Sequence, residues 1–88
     1  MSENTAQHAP RLFDLWLKAC ERDGEEVWTL EGGNGTGIYY LRKPYIVKQY
    51  EWWSCIYMVW IDGEHREAFV DRKQAYEYYE ARLKERRD

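Results

Sequence analysis

The sequence predicts a small α+β domain with an N-terminal helix, three or four antiparallel strands and a C-terminal helix, in that order. Apolar residues recur at helical spacing near both ends of the 88-residue chain. Between Ile38 and Ile61 the composition is rich in the β-branched and aromatic residues that suit a pleated sheet. Asp62-Gly63 then matches the two-residue turn that joins antiparallel strands.

Length and composition indicate one domain. Residues 1–9 are polar and are predicted to form a flexible arm, and residues 10–88 to form a single compact unit. The longest uninterrupted apolar run, Cys55 to Ile61, is far shorter than the ~20 residues needed to cross a bilayer. The polar start has no visible secretion signal. We therefore expect no membrane association and a cytoplasmic location.

The N-terminal helix is predicted to begin at Pro10, whose missing N–H is harmless in a first turn, and to stop before Gly24. Its apolar side chains follow the i, i+3, i+4, i+7 spacing of one helix face. That stripe consists of Phe13, Trp16, Leu17 and Cys20. We expect the stripe to pack in the core.

Residues 25–30 are predicted to form a short strand, followed by a glycine-rich loop at residues 31–37. A phosphate-binding interpretation of this loop fails because no Lys-Ser/Thr pair follows the glycines. The dinucleotide pattern fails as well, since Ile38 stands where its last glycine belongs. A mobile hairpin loop is the remaining interpretation. In the next strand, Pro44 cannot donate to a ladder and predicts either an edge position or a bulge.

The strand from Trp53 to Ile61 is the strongest in the sequence, and the Asp62-Gly63 turn predicts its partner. A regular register pairs Trp60 with His65 and continues residue by residue to Ile56 and Phe69. The strand is apolar on both faces by alternation. One face carries Trp52, Ile56, Met58 and Trp60, and the other carries Trp53, Cys55, Tyr57, Val59 and Ile61.

Two arrangements of the helices are compatible with this strand. If both helices pack on one face, the other exposes an aromatic patch of the kind that marks an interaction site. If they pack on opposite faces, both sets of rings belong to the core. We favour the first arrangement. The side chains expected to face a partner are then Trp52, Met58, Trp60, His65 and Glu67.

The C-terminal helix is predicted to begin after Asp71, which suits the N-cap position, with Gln74 three residues later completing a capping box. Its apolar positions again form one helical stripe, which we expect to be core. They are Ala75, Tyr76, Tyr79 and Leu83.

The chain has few residues suited to catalysis. Its two histidines, His8 and His65, are predicted on the arm and beside a turn, and no metal-ligand or nucleophile motif surrounds them. Cys20 and Cys55 are interpreted as two buried thiols. Ser54 has no histidine near it in sequence. We therefore expect a protein that is not an enzyme and that uses no cofactor or metal.

Charge and ring composition leave two binding hypotheses. The net charge of −3 argues against a polybasic nucleic-acid binder, and thirteen of the fifteen aromatic residues are Trp or Tyr, which are enriched at binding hot spots. The first hypothesis is therefore docking on a protein through an aromatic sheet face, with a contribution from the acidic segment 23–31. The alternative is nucleic-acid binding by the middle segment, residues 38–61, which has three bases and one acid. The oligomeric state is left open between monomer and homodimer.

Residues 56–84 resemble the strand–turn–strand–helix unit of the amino-terminal arm-binding domains of phage tyrosine recombinases. The resemblance rests on Asp62-Gly63, Phe69, Asp71-Arg72-Lys73, Ala75 and Tyr79. It implies DNA reading by an open sheet face, with Tyr39 or Trp60 stacking on bases. The bases that would contact phosphates are Arg42, Lys43, Lys48 and Arg66.

The sheet of those recombinase domains is basic, whereas this chain is net acidic and its strongest strand carries apolar rings. Its small size and aromatic surface are also similar to phage-encoded inhibitors of host defence, the anti-CRISPR proteins among them. An inhibitor or adaptor from a phage or mobile element is therefore the form of the protein-binding hypothesis that we favour.

Overall fold

A computed structural model describes residues 11–87 of the chain, without the side chains of residues 11, 46, 47 and 87. The observed order of two helices and four strands confirms the predicted α+β class. The elements are α1 Arg11–Arg22, β1 Glu26–Gly33, β2 Thr36–Val47, β3 Tyr50–Ile61, β4 Glu64–Phe69 and α2 Arg72–Arg87. The predicted arm at residues 1–9, with His8, and the helix start at Pro10 lie outside the described residues.

The four strands form one antiparallel sheet in the order β1-β2-β3-β4, each joined to the next by a two-residue turn. Asn34-Gly35 links β1 to β2 with φ angles of 54° and 94°. Positive φ at both central residues is the signature of a tight hairpin turn. The predicted hairpin is therefore confirmed, but its loop is only two residues long: the rest of the glycine-rich segment is strand, with Gly32 paired to Gly37, so the predicted loop over residues 31–37 is wrong in extent.

A β-bulge shifts the pairing of β3 with β4. Trp60 pairs with His65 as predicted, but Val59 pairs with Glu67 instead of Arg66. The extra residue moves Phe69 from the predicted position opposite Ile56 to a position opposite Tyr57. Because side chains alternate between faces, this one-residue shift turns Phe69 to the other side of the sheet.

The two helices pack on opposite faces of the sheet, so the favoured arrangement with both on one face is wrong. Helix α2 covers a cluster that includes Ile38, Val59 and Ile61, and α1 covers one that includes Tyr39 and Trp60. The physical reason is that β3 is apolar on both faces, and each face has to be removed from water.

The predicted stripe of α1 is confirmed as core. Phe13 and Cys20 are buried, and Trp16 and Leu17 pack against the same cluster. The Phe13 ring meets the Trp60 ring edge-on at a centroid distance of 5.2 Å, an arrangement that aromatic pairs prefer. The helix ends as expected at Gly24, whose φ is 77°.

Helix α2 begins at the predicted cap. The Gln74 N–H donates to the Asp71 carboxylate at 3.1 Å, which satisfies one of the free donors of the first turn. Ala75 and Tyr79 are buried against the sheet, with Tyr76 and Leu83 packed beside them. No described helix is long and apolar enough to cross a membrane, and the cytoplasmic location stays a prediction.

Strands β2 and β3 form a hairpin that extends past β1 and β4. The last residue of β2 that pairs with β1 is Arg42, opposite Glu26, and β4 pairs with β3 only from Tyr57 onward. Pro44 lies in this extension without a bulge, paired in register with Trp53. It therefore occupies the predicted edge position. The described chain is elongated, with extents of 50 × 33 × 15 Å.

Candidate partner-binding surface

The extended hairpin and the neighbouring end of β1 carry most of the exposed rings of the described chain. Alternation separates these rings into two groups. Trp28 and Trp53 lie on the face of α2, beyond the part of the sheet that α2 covers, and the remainder lie on the face of α1. The exposed fractions are Trp28 44%, Tyr45 39%, Tyr50 75%, Trp52 48% and Trp53 37%.

We call the group on the α2 face, together with the half-buried side chains that it contacts, the ring surface. It consists of Trp28, Tyr40, Arg42, Trp53 and Tyr57. The Trp28 and Tyr40 rings lie 5.7 Å apart, and those of Tyr40 and Tyr57 5.0 Å apart. The Arg42 guanidinium lies 4.1 Å from the Trp53 ring centre and 5.7 Å from that of Trp28. Tyr57 also packs against the α2 core, so the ring surface begins where that core ends.

Arg42 contacts both Trp28 and Trp53, and its positive charge is balanced by a neighbouring carboxylate. Its Nη1 donates to the Glu26 carboxylate at 3.3 Å, directly across the β1–β2 pair. A cation held over an aromatic face contributes about 0.5–1 kcal/mol at such a site. The arginine therefore fixes the orientation of Trp28 and Trp53 while adding no net charge to the ring surface.

The two cysteines have different environments. Cys20 is buried, as predicted, and burial with a hydrogen bond to Glu25 raises the pKa of its thiol to about 12. Cys55 is exposed beside the ring surface, so the prediction of a buried thiol is wrong there, because β3 has left the cover of α2 at that point. Its side chain hydrogen-bonds Tyr40, which raises the pKa of the Tyr40 hydroxyl.

A smaller group of rings lies on the opposite face of the hairpin. Tyr45 and Trp52 stack at 5.7 Å with an interplanar angle of 21°. The Lys43 ammonium lies 5.8 Å from the Tyr45 ring centre and 3.6 Å from the Glu25 carboxylate. This pair of rings forms a local stack at the edge of the α1 side.

Three of the residues predicted to face a partner lie at the end of the sheet that α1 covers. Trp60 is 4% exposed, and Met58 packs partly buried beside it. Their predicted exposure is therefore wrong, since α1 occupies the face that was expected to be open. His65 is exposed, with its ring 5.6 Å from that of Trp60.

The other two predicted partner-facing residues are exposed but lie apart. Trp52 stacks on Tyr45 near the end of the hairpin. Glu67 pairs with Val59 and therefore faces the α2 side. The five side chains do not form one surface. Partner binding by Trp52, His65 and Glu67 stays a prediction.

The predicted phosphate-contacting bases are also scattered. Arg42 and Lys43 point to opposite faces, and each lies beside a glutamate. Lys48 is exposed in the turn between β2 and β3. Arg66 lies in the bulge of β4, roughly 30 Å from that turn at ~3.3 Å per strand residue, with its Nη1 3.9 Å from the Glu64 carboxylate.

The rings expected to stack on DNA bases are inside the protein. Tyr39 is 1% exposed and Trp60 4%, so neither can stack on a base while α1 is in place. The positions behind the recombinase resemblance serve the fold instead: Phe69 packs its ring 5.4 Å from that of Tyr78, and Ala75 and Tyr79 are buried.

A cavity of about 270 Å³ lies between the Asp62-Gly63 turn and the end of α2. Three of its lining residues are arginines, and carboxylates lie beside them. Arg86 contacts Asp62 at 2.6 Å and Arg82 contacts Glu85 at 3.1 Å. The Arg86–Asp62 pair links the β3–β4 turn to α2, whereas the Arg82–Glu85 pair lies within α2. Among the described residues, no cluster of three histidine, cysteine or acidic side chains could hold a metal ion.

A scan against protein-family models, a search of curated proteins and a search of solved structures each found no match to this chain. The ring surface is therefore identified as a candidate site by its geometry alone. From the sequence, Trp53 was left on the face that the helices were expected to cover, and Trp28 and Tyr40 were assigned no role.

Proposed function

We propose that this protein is a non-catalytic binding protein that docks on a protein partner through the ring surface. The observation that carries the proposal is the array of rings around Arg42 on a part of the sheet that neither helix covers. Exposed apolar patches of this kind are typical of interaction sites. Tryptophan, tyrosine and arginine are also the residues most enriched among binding hot spots.

The array is organised before a partner arrives. Contacts between neighbouring rings and the Arg42 guanidinium restrict the side-chain rotamers. Ordering a side chain at an interface costs about 0.5–1.5 kcal/mol, and a surface that is already ordered avoids much of that cost. Tight binding is therefore possible over a modest area.

Charge supports a protein partner over nucleic acid. Arg42, the base at the centre of the ring surface, lies against Glu26, so a polyanion would have to displace that carboxylate. The complementary surface is one with an apolar centre and polar groups at its rim. The inhibitor or adaptor role expected from the sequence stays a prediction within this proposal.

Affinity capture from the native host, followed by affinity measurements on the captured protein, tests the proposal. Trp28→Ala should weaken binding at least about 30-fold, the effect of losing a hot spot of ~2 kcal/mol. Trp52→Ala is the matched control, because it removes a ring of similar exposure from the other face. It should change the affinity by less than about threefold.

The opposite pattern, with Trp52 essential and Trp28 dispensable, would contradict the proposed surface. Salt dependence separates the two partner classes. Binding to the captured protein should change little with salt. A steep loss of affinity for an oligonucleotide between low and physiological salt would instead show counterion release and favour nucleic acid.

A further inference from the structure

We propose that two copies of this chain pair along the uncovered edge of β3, from Tyr50 to Ile56, and form one continuous sheet across a two-fold axis. This interface shares Trp53 with the docking site proposed above and is otherwise distinct from it. It uses the backbone edge of the hairpin, whereas the partner site uses the flat ring surface.

The edge is free because β4 is shorter than β3. Within residues 11–87, no strand pairs with β3 on the β4 side before Tyr57. The two-residue turn makes Val47 and Tyr50 a hydrogen-bonded pair. Alternation from that pair points the backbone N–H and C=O groups of Glu51, Trp53 and Cys55 away from β2.

The other edges of the sheet carry features that block strand addition. β1 is bulged between Thr29 and Glu31, and β4 is bulged and rich in charged residues. The extended part of β2 presents Lys43 and Pro44 on its outer side. Bulges, lysines and prolines are the usual protection of sheet edges. Along the free edge of β3, from Tyr50 to Ile56, Glu51 is the only charged residue, and the others are aromatic, aliphatic or small.

Pairing of this edge with itself has one favourable register. The free stretch is centred on Trp53, so placing Trp53 opposite its copy uses its whole length. Glu51 then lies opposite Cys55, and Tyr50 opposite Ile56, with no like charges facing each other. A shift toward the turn would place Glu51 opposite its copy, and a shift the other way would bring the second strand against Phe69 of β4.

The exposed rings indicate a reversible dimer. Tyr50, Trp52 and Trp53 are 75%, 48% and 37% exposed, which at ~200 Å² per ring leaves roughly 300 Å² of aromatic surface in each copy. Stable dimers bury about 800 Å² per subunit. Ring burial with a few backbone hydrogen bonds is therefore expected to give a dissociation constant on the order of 10–100 μM.

Sedimentation velocity from about 1 to about 500 μM, spanning that range, tests the proposal. The wild type should shift from monomer to dimer as concentration rises. Trp53→Lys places two charges opposite each other at the two-fold axis and should weaken dimerisation at least tenfold. Trp28→Lys, the matched control on the same face, should leave dimerisation unchanged although it removes a partner-site ring. A strictly monomeric wild type at the highest concentration would overturn the pairing.

A cross-link tests the register independently of stability. In the proposed pairing Glu51→Cys faces the native Cys55 of the second copy, with Cα atoms about 5.5 Å apart, within disulfide range. Mild oxidation should therefore yield a covalent dimer. Lys48→Cys is the control, because its Cα would lie roughly 10 Å from that Cys55. Equal cross-linking of both variants would refute the register.

Discussion

Replacing Trp60 by alanine is the sharpest test of how the two helices divide the sheet. Trp60 is 4% exposed beneath α1, and its ring lies 5.2 Å from both Phe13 and Trp16. If both helices shared the other face, this ring would be on the surface and its loss would hardly affect folding. Because α1 covers it, we expect Trp60→Ala to destabilise the domain severely.

The magnitude follows from the cavity that the substitution leaves. Truncating a buried tryptophan to alanine costs about 3–5 kcal/mol. A domain of 88 residues has a total stability of about 4–13 kcal/mol. At a slope of about 1 kcal/mol per molar urea, the unfolding midpoint should fall by roughly 3–5 M, or the protein should fail to fold.

Trp60→Phe refines this test. The Trp60 indole N–H is buried without a hydrogen-bond partner among the described residues, and such an orphan donor costs about 1–3 kcal/mol. Phenylalanine removes that donor while keeping an aromatic ring, so the loss of volume and the relief of the orphan group should offset each other to within about 1 kcal/mol.

Urea unfolding followed by near-ultraviolet circular dichroism measures the stability of the wild type, Trp60→Ala, Trp60→Phe and the control Trp28→Ala. Trp28 is 44% exposed, and its loss should cost no more than about 1 kcal/mol. A Trp60→Ala protein as stable as Trp28→Ala would refute the packing of α1 on this face and return Trp60 to the surface.

Three further predictions concern local features. Gly32→Ala should destabilise the β1–β2 hairpin by at least about 1–3 kcal/mol in urea denaturation. The φ angle of Gly32 is 72°, and an added Cβ would lie 2.9 Å from Gly37 and closer still to the Thr36 carbonyl oxygen. Gly33→Ala is the control and should be tolerated in the same assay, because a Cβ there meets nothing within 4 Å. In thiol titration near pH 8 the native protein should show one fast-reacting cysteine, Cys55, and Cys55→Ser should abolish that phase. Because burial raises the Cys20 pKa from 9.0 to about 12, the folded state favours the protonated thiol; stability should be retained below pH 9 and fall as pH rises toward 12, less steeply in Cys20→Ser. Equal reactivity of the two thiols in the native protein would contradict the burial of Cys20.

The features that could be predicted from the sequence are local ones. The α1 stripe, the Gly24 stop, the Asp71 cap and the Asp62-Gly63 turn each depend on residues a few positions apart, and all are present. The side of the sheet that each helix covers depends on long-range packing, which periodicity does not encode. The stripe of α1 would look the same on either face.

A β-bulge explains why the sequence did not reveal the ring surface. Regular pairing outward from Asn34-Gly35 would place Trp28 opposite Leu41, but the bulge between Thr29 and Glu31 places it opposite Tyr40. That shift puts Trp28 on the α2 side, where Arg42 joins it to Trp53. Because an extra residue reverses the facing of those beyond it, the ring surface was not readable from alternation alone.

β3 is buried at one end and exposed at the other because it is longer than either helix. β3 has twelve residues and spans roughly 40 Å at ~3.3 Å per residue. α1 also has twelve residues but spans only about 18 Å, and the sixteen residues of α2 about 24 Å, at ~1.5 Å per residue. Even a helix aligned with β3 would leave part of the strand uncovered.

In β3 the uncovered part, Tyr50 to Cys55, is exposed at every position, yet it retains rings that a purely solvated hairpin would not need. Exposed rings on a sheet edge promote aggregation unless something covers them, so their presence beyond the reach of both helices is itself an argument that this hairpin is used for binding.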